Sequence, residues 1–161
     1  MHLTRIELLQ RMPVFGAIRE DALAFLLMQA RVVELRAGEC FFREGEQTCS
    51  MFVLEVGRVA VFKSWKGRDV VLHDLSVGDC FGEMALMDLL PRSASVRADD
   101  DCRAIEINSS DLHHLYQRDA EQFALLQMNI GREVCRRLRT TNELLFQARM
   151  GLPVKSAHAT G

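Results

Sequence analysis

Glu83 and Arg92 stand nine positions apart in the stretch Cys80-Phe-Gly-Glu-Met-Ala-Leu-Met-Asp-Leu-Leu-Pro-Arg-Ser-Ala-Ser-Val96, which is otherwise mostly apolar or small. A carboxylate accepts hydrogen bonds from hydroxyls or cations, and a guanidinium presents a planar fork that matches phosphate oxygens. Glu83 to about Leu89, with Met84, Ala85, Leu86 and Met87, has the composition of a short helix, whose first turn offers N–H groups that suit an anion. Gly82 removes a side chain just before that turn, so a ligand can approach the backbone. Pro91 gives Arg92 a rigid lead-in. A phosphate on the guanidinium and a ribose hydroxyl on Glu83 would use every part, and together the parts describe a sugar-phosphate cradle. An ordinary Glu83–Arg92 ion pair beside a core-filling helix uses the same residues and stays open on spacing alone.

Such a cradle must be held by rigid elements, and the chain has three textures. Up to about Ala30 it reads helical: Leu3, Ile6 and Leu9 recur at helical spacing, and Leu23, Leu26 and Leu27 resume after Pro13 and Gly16. From about Arg31 to Asn108, short β-rich runs alternate with glycines. The runs are Arg31–Leu35, Cys40–Arg43, Ser50–Leu54, Arg58–Phe62, Val70–Leu75, Ser93–Val96 and Arg103–Ile107. Many short strands at near-regular spacing predict a sandwich or barrel of jelly-roll character. Beyond Ser109, which with Ser110 and Asp111 can cap a short helix, a long helix is expected from about Ala120 to Ala148. On it Gly131, Val134, Leu138, Thr141, Leu145 and Ala148 follow the rhythm of a coiled-coil seam. Dimerisation along that seam is favoured over packing of the whole helix on the β domain.

Length and composition narrow the classes. The chain has 161 residues, 48% apolar and 26% charged, with a net charge of −2, so wholesale nucleic-acid coating has no support. The longest apolar run, Ala22 to Met28, cannot span a bilayer, and no secretory signal opens the chain. Five scattered cysteines without a CxxC pair point to a reducing cytoplasm and to neither a disulfide framework nor a metal cluster. His113 and His114 diverge on a helix and do not chelate as a pair, so no metal is expected. No P-loop, GxGxxG or GxSxG occurs, and an enzyme is not expected. Arg132, Arg136, Arg137 and Arg139 read as a solvated helix face with Glu133 and Glu143 as partners.

Phe81-Gly-Glu-Met-Ala-Leu86 followed by Pro91-Arg-Ser-Ala-Ser-Val96 closely resembles the phosphate-binding cassette of cyclic-nucleotide-binding domains. Those domains occur in the bacterial catabolite activator family, in cyclic-nucleotide-dependent kinases and in gated channels. Met12-Pro-Val-Phe15, Gly45 to Val59 and Leu75-Ser-Val-Gly-Asp79 are similar to the family's strands and turns, and the likeness covers about residues 5 to 148. It implies an α+β fold: a β-jelly-roll flanked by N-terminal helices and a long C-terminal dimerisation helix. The corresponding units are 1–118, 119–149 and a flexible tail at 150–161. The implied ligand is a cyclic nucleotide, cAMP rather than cGMP. Glu83 would accept the ribose 2′-hydroxyl and Arg92 would pair with the cyclic phosphate. Backbone N–H groups around Met84, Ala85, Ser93 and Ala94 would complete the phosphate shell, with Gly82 permitting the approach. Leu86 and Val71 would be apolar walls. Thr141 and Asn142 would face the purine from the long helix. The activators of this family carry a helix-turn-helix after that helix. Residues 149–161 are too few for one, so a stand-alone sensor acting on a protein partner is expected, the alternatives being the ligand domain of a longer DNA-binding regulator or a nucleotide-free protein-interaction module.

Overall fold

The computed structural model describes residues 4–153; the expected tail and Leu3 lie largely or wholly outside them. Helices α1 (Arg5–Gln10) and α2 (Glu20–Gln29) flank a 3-10 turn at Pro13–Phe15. Thr4 caps α1 with a capping box that returns through Glu7. Eight strands follow: β1 (Arg31–Leu35), β2 (Cys40–Phe42), β3 (Ser50–Val56), β4 (Val59–Trp65), β5 (Arg68–Leu75), β6 (Cys80–Phe81), β7 (Ser95–Ala98) and β8 (Cys102–Asn108). A short helix, α3 (Glu83–Asp88), sits between β6 and β7. Helices α4 (Ser109–Arg118) and α5 (Ala120–Arg149) close the chain. The cap of α4 is Asn108, one residue before the expected serine; its side chain accepts from Asp111 N–H.

The strands form two antiparallel four-stranded sheets, ordered β1-β8-β3-β6 and β2-β7-β4-β5. Period-two alternation sorts their side chains between two cores. Phe52 and Leu54 of β3 face the other sheet, whose Val59, Val61 and Val96 meet them, with Phe81 of the neighbouring β6 in the same core. Met51 and Val53, one residue out of phase, face the helices with Ile105 and Ile107 of β8. There Phe15, Leu23, Leu26, Leu115, Leu126 and Ile130 complete a second core. The first half of α5 is therefore anchored, whereas Leu138, Leu145 and Phe146 further along are exposed. The β-roll with helices at both ends agrees with the expected fold class.

Two local features aim residues at one cavity. In the β4–β5 ladder the register steps between Val61↔His73 and Phe62↔Val71, which makes Leu72 the extra residue. Such a bulge re-aims the side chains beyond it. Gly82, at φ +78°, turns the chain from β6 into α3. A β-carbon there would lie 2.5 Å from Arg92 Nη1 and 3.2 Å from the Ser50 carbonyl oxygen.

Candidate functional site

A cavity of about 560 Å³ opens between the β-roll, α3 and α5, within the range of ordinary small-molecule sites. Phe42, Val61, Leu75, Phe81, Val134 and Leu138 give it apolar walls. Its polar side chains are Glu83, Arg92, Ser93, Arg137, His73 and Thr141.

Arg92 is 3% exposed and is held from four sides. Nε donates to Thr48 Oγ1 at 2.8 Å. Nη1 donates to the Ser50 and Gly82 carbonyl oxygens at 2.7 and 2.8 Å. Nη2 donates to Ser50 Oγ at 3.1 Å. The plane lies 3.9 Å from the Phe42 ring centroid, a desolvated cation–π contact of about 2 kcal/mol or more. Its backbone is fixed as well: Arg92 N–H donates to Glu46 C=O and Gly45 N–H to Arg92 C=O. Burial pulls the guanidinium below its ordinary pKa. Among the described residues, no carboxylate forms a salt bridge with it.

Glu83 therefore is not the ion-pair partner of Arg92. Its Oε1 accepts from Arg137 Nη1 at 2.8 Å, and Arg137 Nη2 also donates to the Cys80 carbonyl. Glu83 is buried, whereas Arg137 is part-exposed, so the pair sits at the rim of the cavity. Arg137 had read as part of a solvated cationic face. The structure separates that cluster: Arg136 pairs with Glu133, Arg132 donates to Asn129, Glu143 accepts from Gln147, and Arg137 turns inward. Charge spacing along α5 could not reveal this, because the acceptors lie on β6 and α3, more than fifty residues away.

Of the expected site residues, Gly82, Glu83, Met84, Ala85, Arg92, Ser93, Ala94 and Thr141 line the cavity. Three do not. Val71 is exposed on β5, and the bulge puts Leu72 and His73 on the wall instead. Leu86 is buried in the helix-side core. Asn142 is exposed and, at 100° per residue from Thr141, leaves the cavity-facing stripe. Gly82 lines the cavity, and its missing side chain also makes room for Arg92. Sequence reading missed His73, Arg137, Phe42, Thr48 and Ser50. Of these, Ser50 carries a weak signal, as a polar residue opening a strand that is otherwise buried.

A β-roll that buries a guanidinium at one side of a helix-covered cavity defines a ligand-binding module. The chain belongs to the cyclic nucleotide-binding domain family, whose model matches residues 32–119, from β1 to the start of α5. It is 28% identical over 140 residues to a CRP-like cAMP-activated global transcriptional regulator of Mycobacterium tuberculosis, covering 86% of this chain and 61% of that protein. It is 31% identical over 106 residues to a cAMP-dependent protein kinase regulatory subunit of Mycosarcoma maydis, covering 64% and 20%. The fold matches the catabolite activator protein of Thermus thermophilus with a TM-score of 0.73 and 25% identity, covering 85% of this chain and 63% of that one. The chain thus spans about three fifths of the first curated relatives. These relatives are regulators. Among the described residues, no helix is long and apolar enough to cross a membrane, and no cluster of three or more ligating side chains could hold a metal.

Proposed function

We propose that this chain binds a cyclic mononucleotide, cAMP in preference to cGMP, and reports it to a partner through the position of α5. One observation carries the reading: Arg92 is a buried cation facing a cavity without a carboxylate partner. A desolvated guanidinium costs several kcal/mol unless an anion compensates it, and a singly charged cyclic phosphate supplies that anion. The ribose 2′-hydroxyl would donate to Glu83. The base would lie on the apolar wall, toward His73 and Thr141. The names of the mycobacterial and fungal relatives support adenine over guanine.

Binding need not involve chemistry at the ligand; the role is that of a sensor. A ligand touching Glu83 shares that carboxylate with Arg137, so the favoured arrangement of α5 shifts with occupancy. Exposed Leu138, Leu145 and Phe146 support a homodimer through α5, in a cytoplasmic setting. The second reading, the ligand domain of a DNA-binding transcription regulator, rests on the coverage of the mycobacterial relative, which is longer than this chain.

Titration of the chain with both nucleotides in a calorimeter tests the reading. Binding of cAMP more tightly than cGMP is expected. Equal affinity would remove the adenine preference, and absence of heat with both would remove the function. Sedimentation of Leu138→Glu tests the dimer: a fall to the monomer mass is expected, and a wild-type dimer mass unchanged by the substitution would overturn the seam.

A further inference from the structure

The five N–H donors of Arg92 are unequally committed. One on Nε and both on Nη1 have protein acceptors, and one of the two on Nη2 goes to Ser50 Oγ. The remaining N–H therefore belongs to the same nitrogen that Ser50 holds. The Ser50 hydroxyl accepts from Arg92 and donates its own proton to Glu106 Oε1 at 2.9 Å. Glu106 lies on β8, directly beside β3 in the ladder. Its other oxygen accepts from Arg31 Nε and Nη2 of β1 at 2.9 and 2.6 Å. Three neighbouring strands thus carry a continuous chain, Arg31–Glu106–Ser50–Arg92, that ends at the cavity.

We propose that Ser50 and Glu106 are positioning residues for the anion site: Glu106 orients the Ser50 hydroxyl, which fixes Nη2 of Arg92 with its remaining N–H toward the ligand. This rests on the reading of the cavity as a cyclic-nucleotide site and adds how its cation is aimed. The direction of the Ser50 hydroxyl follows from charge. Glu106 can only accept, so the proton goes to it, and the oxygen lone pair is left for Nη2. Glu106 is also the strongest of the neighbouring charges that favour the protonated guanidinium against the effect of burial. It does so without touching Arg92, so it neutralises the cation less than a direct ion pair would and leaves it able to take an anion. Thr48, on the Nε side, sets the tilt of the plane but does not touch Nη2.

The test is calorimetry with cAMP on the full chain, together with the 31P resonance of the bound nucleotide. Ser50→Ala should weaken binding about tenfold, the loss of one hydrogen bond to a charged group. Ser50→Thr, which keeps the hydroxyl, should restore most of it. Glu106→Gln should weaken binding about threefold and shift the bound 31P line, since the phosphate meets a differently oriented N–H. If Ser50→Ala and Glu106→Gln keep the wild-type affinity and 31P position, the chain of contacts is structural only and the proposal is wrong. If either variant does not fold, the other decides by the same two readouts, with Ser50→Thr as the third. Failure of the wild-type protein to bind any cyclic nucleotide would remove the cavity reading itself, and with it this proposal. Wild-type binding with indifferent variants removes the positioning role alone.

Discussion

Arg137 Nη1 donates to Glu83 Oε1 across 2.8 Å, joining the middle of α5 to the first residue of α3. The same guanidinium also reaches the Cys80 carbonyl on β6. Beyond this contact α5 carries mostly exposed side chains. Arg137 is therefore the polar clamp between the outer part of α5 and the cavity. A ligand that bonds Glu83 enters a hydrogen-bond group that already includes α5.

Removal of that clamp should loosen the distal helix. In Arg137→Ala, amide exchange between Val134 and Arg149 should speed up, and nucleotide should no longer slow it, because local opening costs less once the clamp is gone. Hydrogen-exchange mass spectrometry reads this directly. Exchange rates and ligand protection equal to wild type would show that apolar packing alone places α5.

Arg92→Ala should weaken cyclic-nucleotide binding by about tenfold to a hundredfold, the loss of the one charge-assisted bond its uncommitted N–H can make, at about 1.5–3 kcal/mol. The fold should survive, since the buried charge costs desolvation that the variant avoids. Calorimetry and far-ultraviolet circular dichroism separate the two effects. Unchanged affinity would mean that the anion binds elsewhere.

Gly82→Ala should damage both stability and binding. The added methyl would sit 2.5 Å from Arg92 Nη1, and the backbone there holds φ +78°. The conformational part alone costs about 1–3 kcal/mol, and Arg92 must shift as well. Thermal melting and nucleotide titration should both fall short of wild type. A variant with wild-type melting and affinity would contradict the close packing of Gly82 on Arg92.

His73 makes the cavity pH-sensitive. Desolvation, and then the cation of Arg137, hold its pKa below the ordinary 6.5. The unfolded chain therefore binds more protons over the window that begins at 6.5 and runs down to the lower folded value. Stability from this group is complete above that window and is lost as pH falls through it. His73→Phe should show a smaller fall in melting temperature than wild type between about pH 7 and about pH 5. Parallel profiles for the two proteins would overturn the assignment.

The fold was legible because its signals are local. Glycine-punctuated strands, the helix periodicities and the Glu83-to-Arg92 stretch all lie within short windows. The two-residue strand β6 was too short to stand out from the motif around it. Val71 was misplaced as a wall because a bulge at Leu72 changes which side chains turn inward, and no residue type announces a bulge. The partners of Arg92 and Glu83 were hidden for a different reason. Thr48, Ser50 and Arg137 meet them only through tertiary packing, and each reads by itself as an ordinary loop, strand or helix residue. Gly82 was identified correctly as a place needing no side chain, and a protein guanidinium proved to be one of its neighbours.

The most direct test of the central claim is competition between cAMP and uncyclised adenosine on wild type and Arg92→Ala. If the buried guanidinium binds the phosphate, wild type should take cAMP at micromolar concentration or below, near 8 kcal/mol or more on the ~1.4 kcal/mol-per-decade scale. Adenosine should bind far more weakly, and the substitution should erase most of the difference. Equal affinity for the two ligands on wild type, or no binding of cAMP at all, would contradict it.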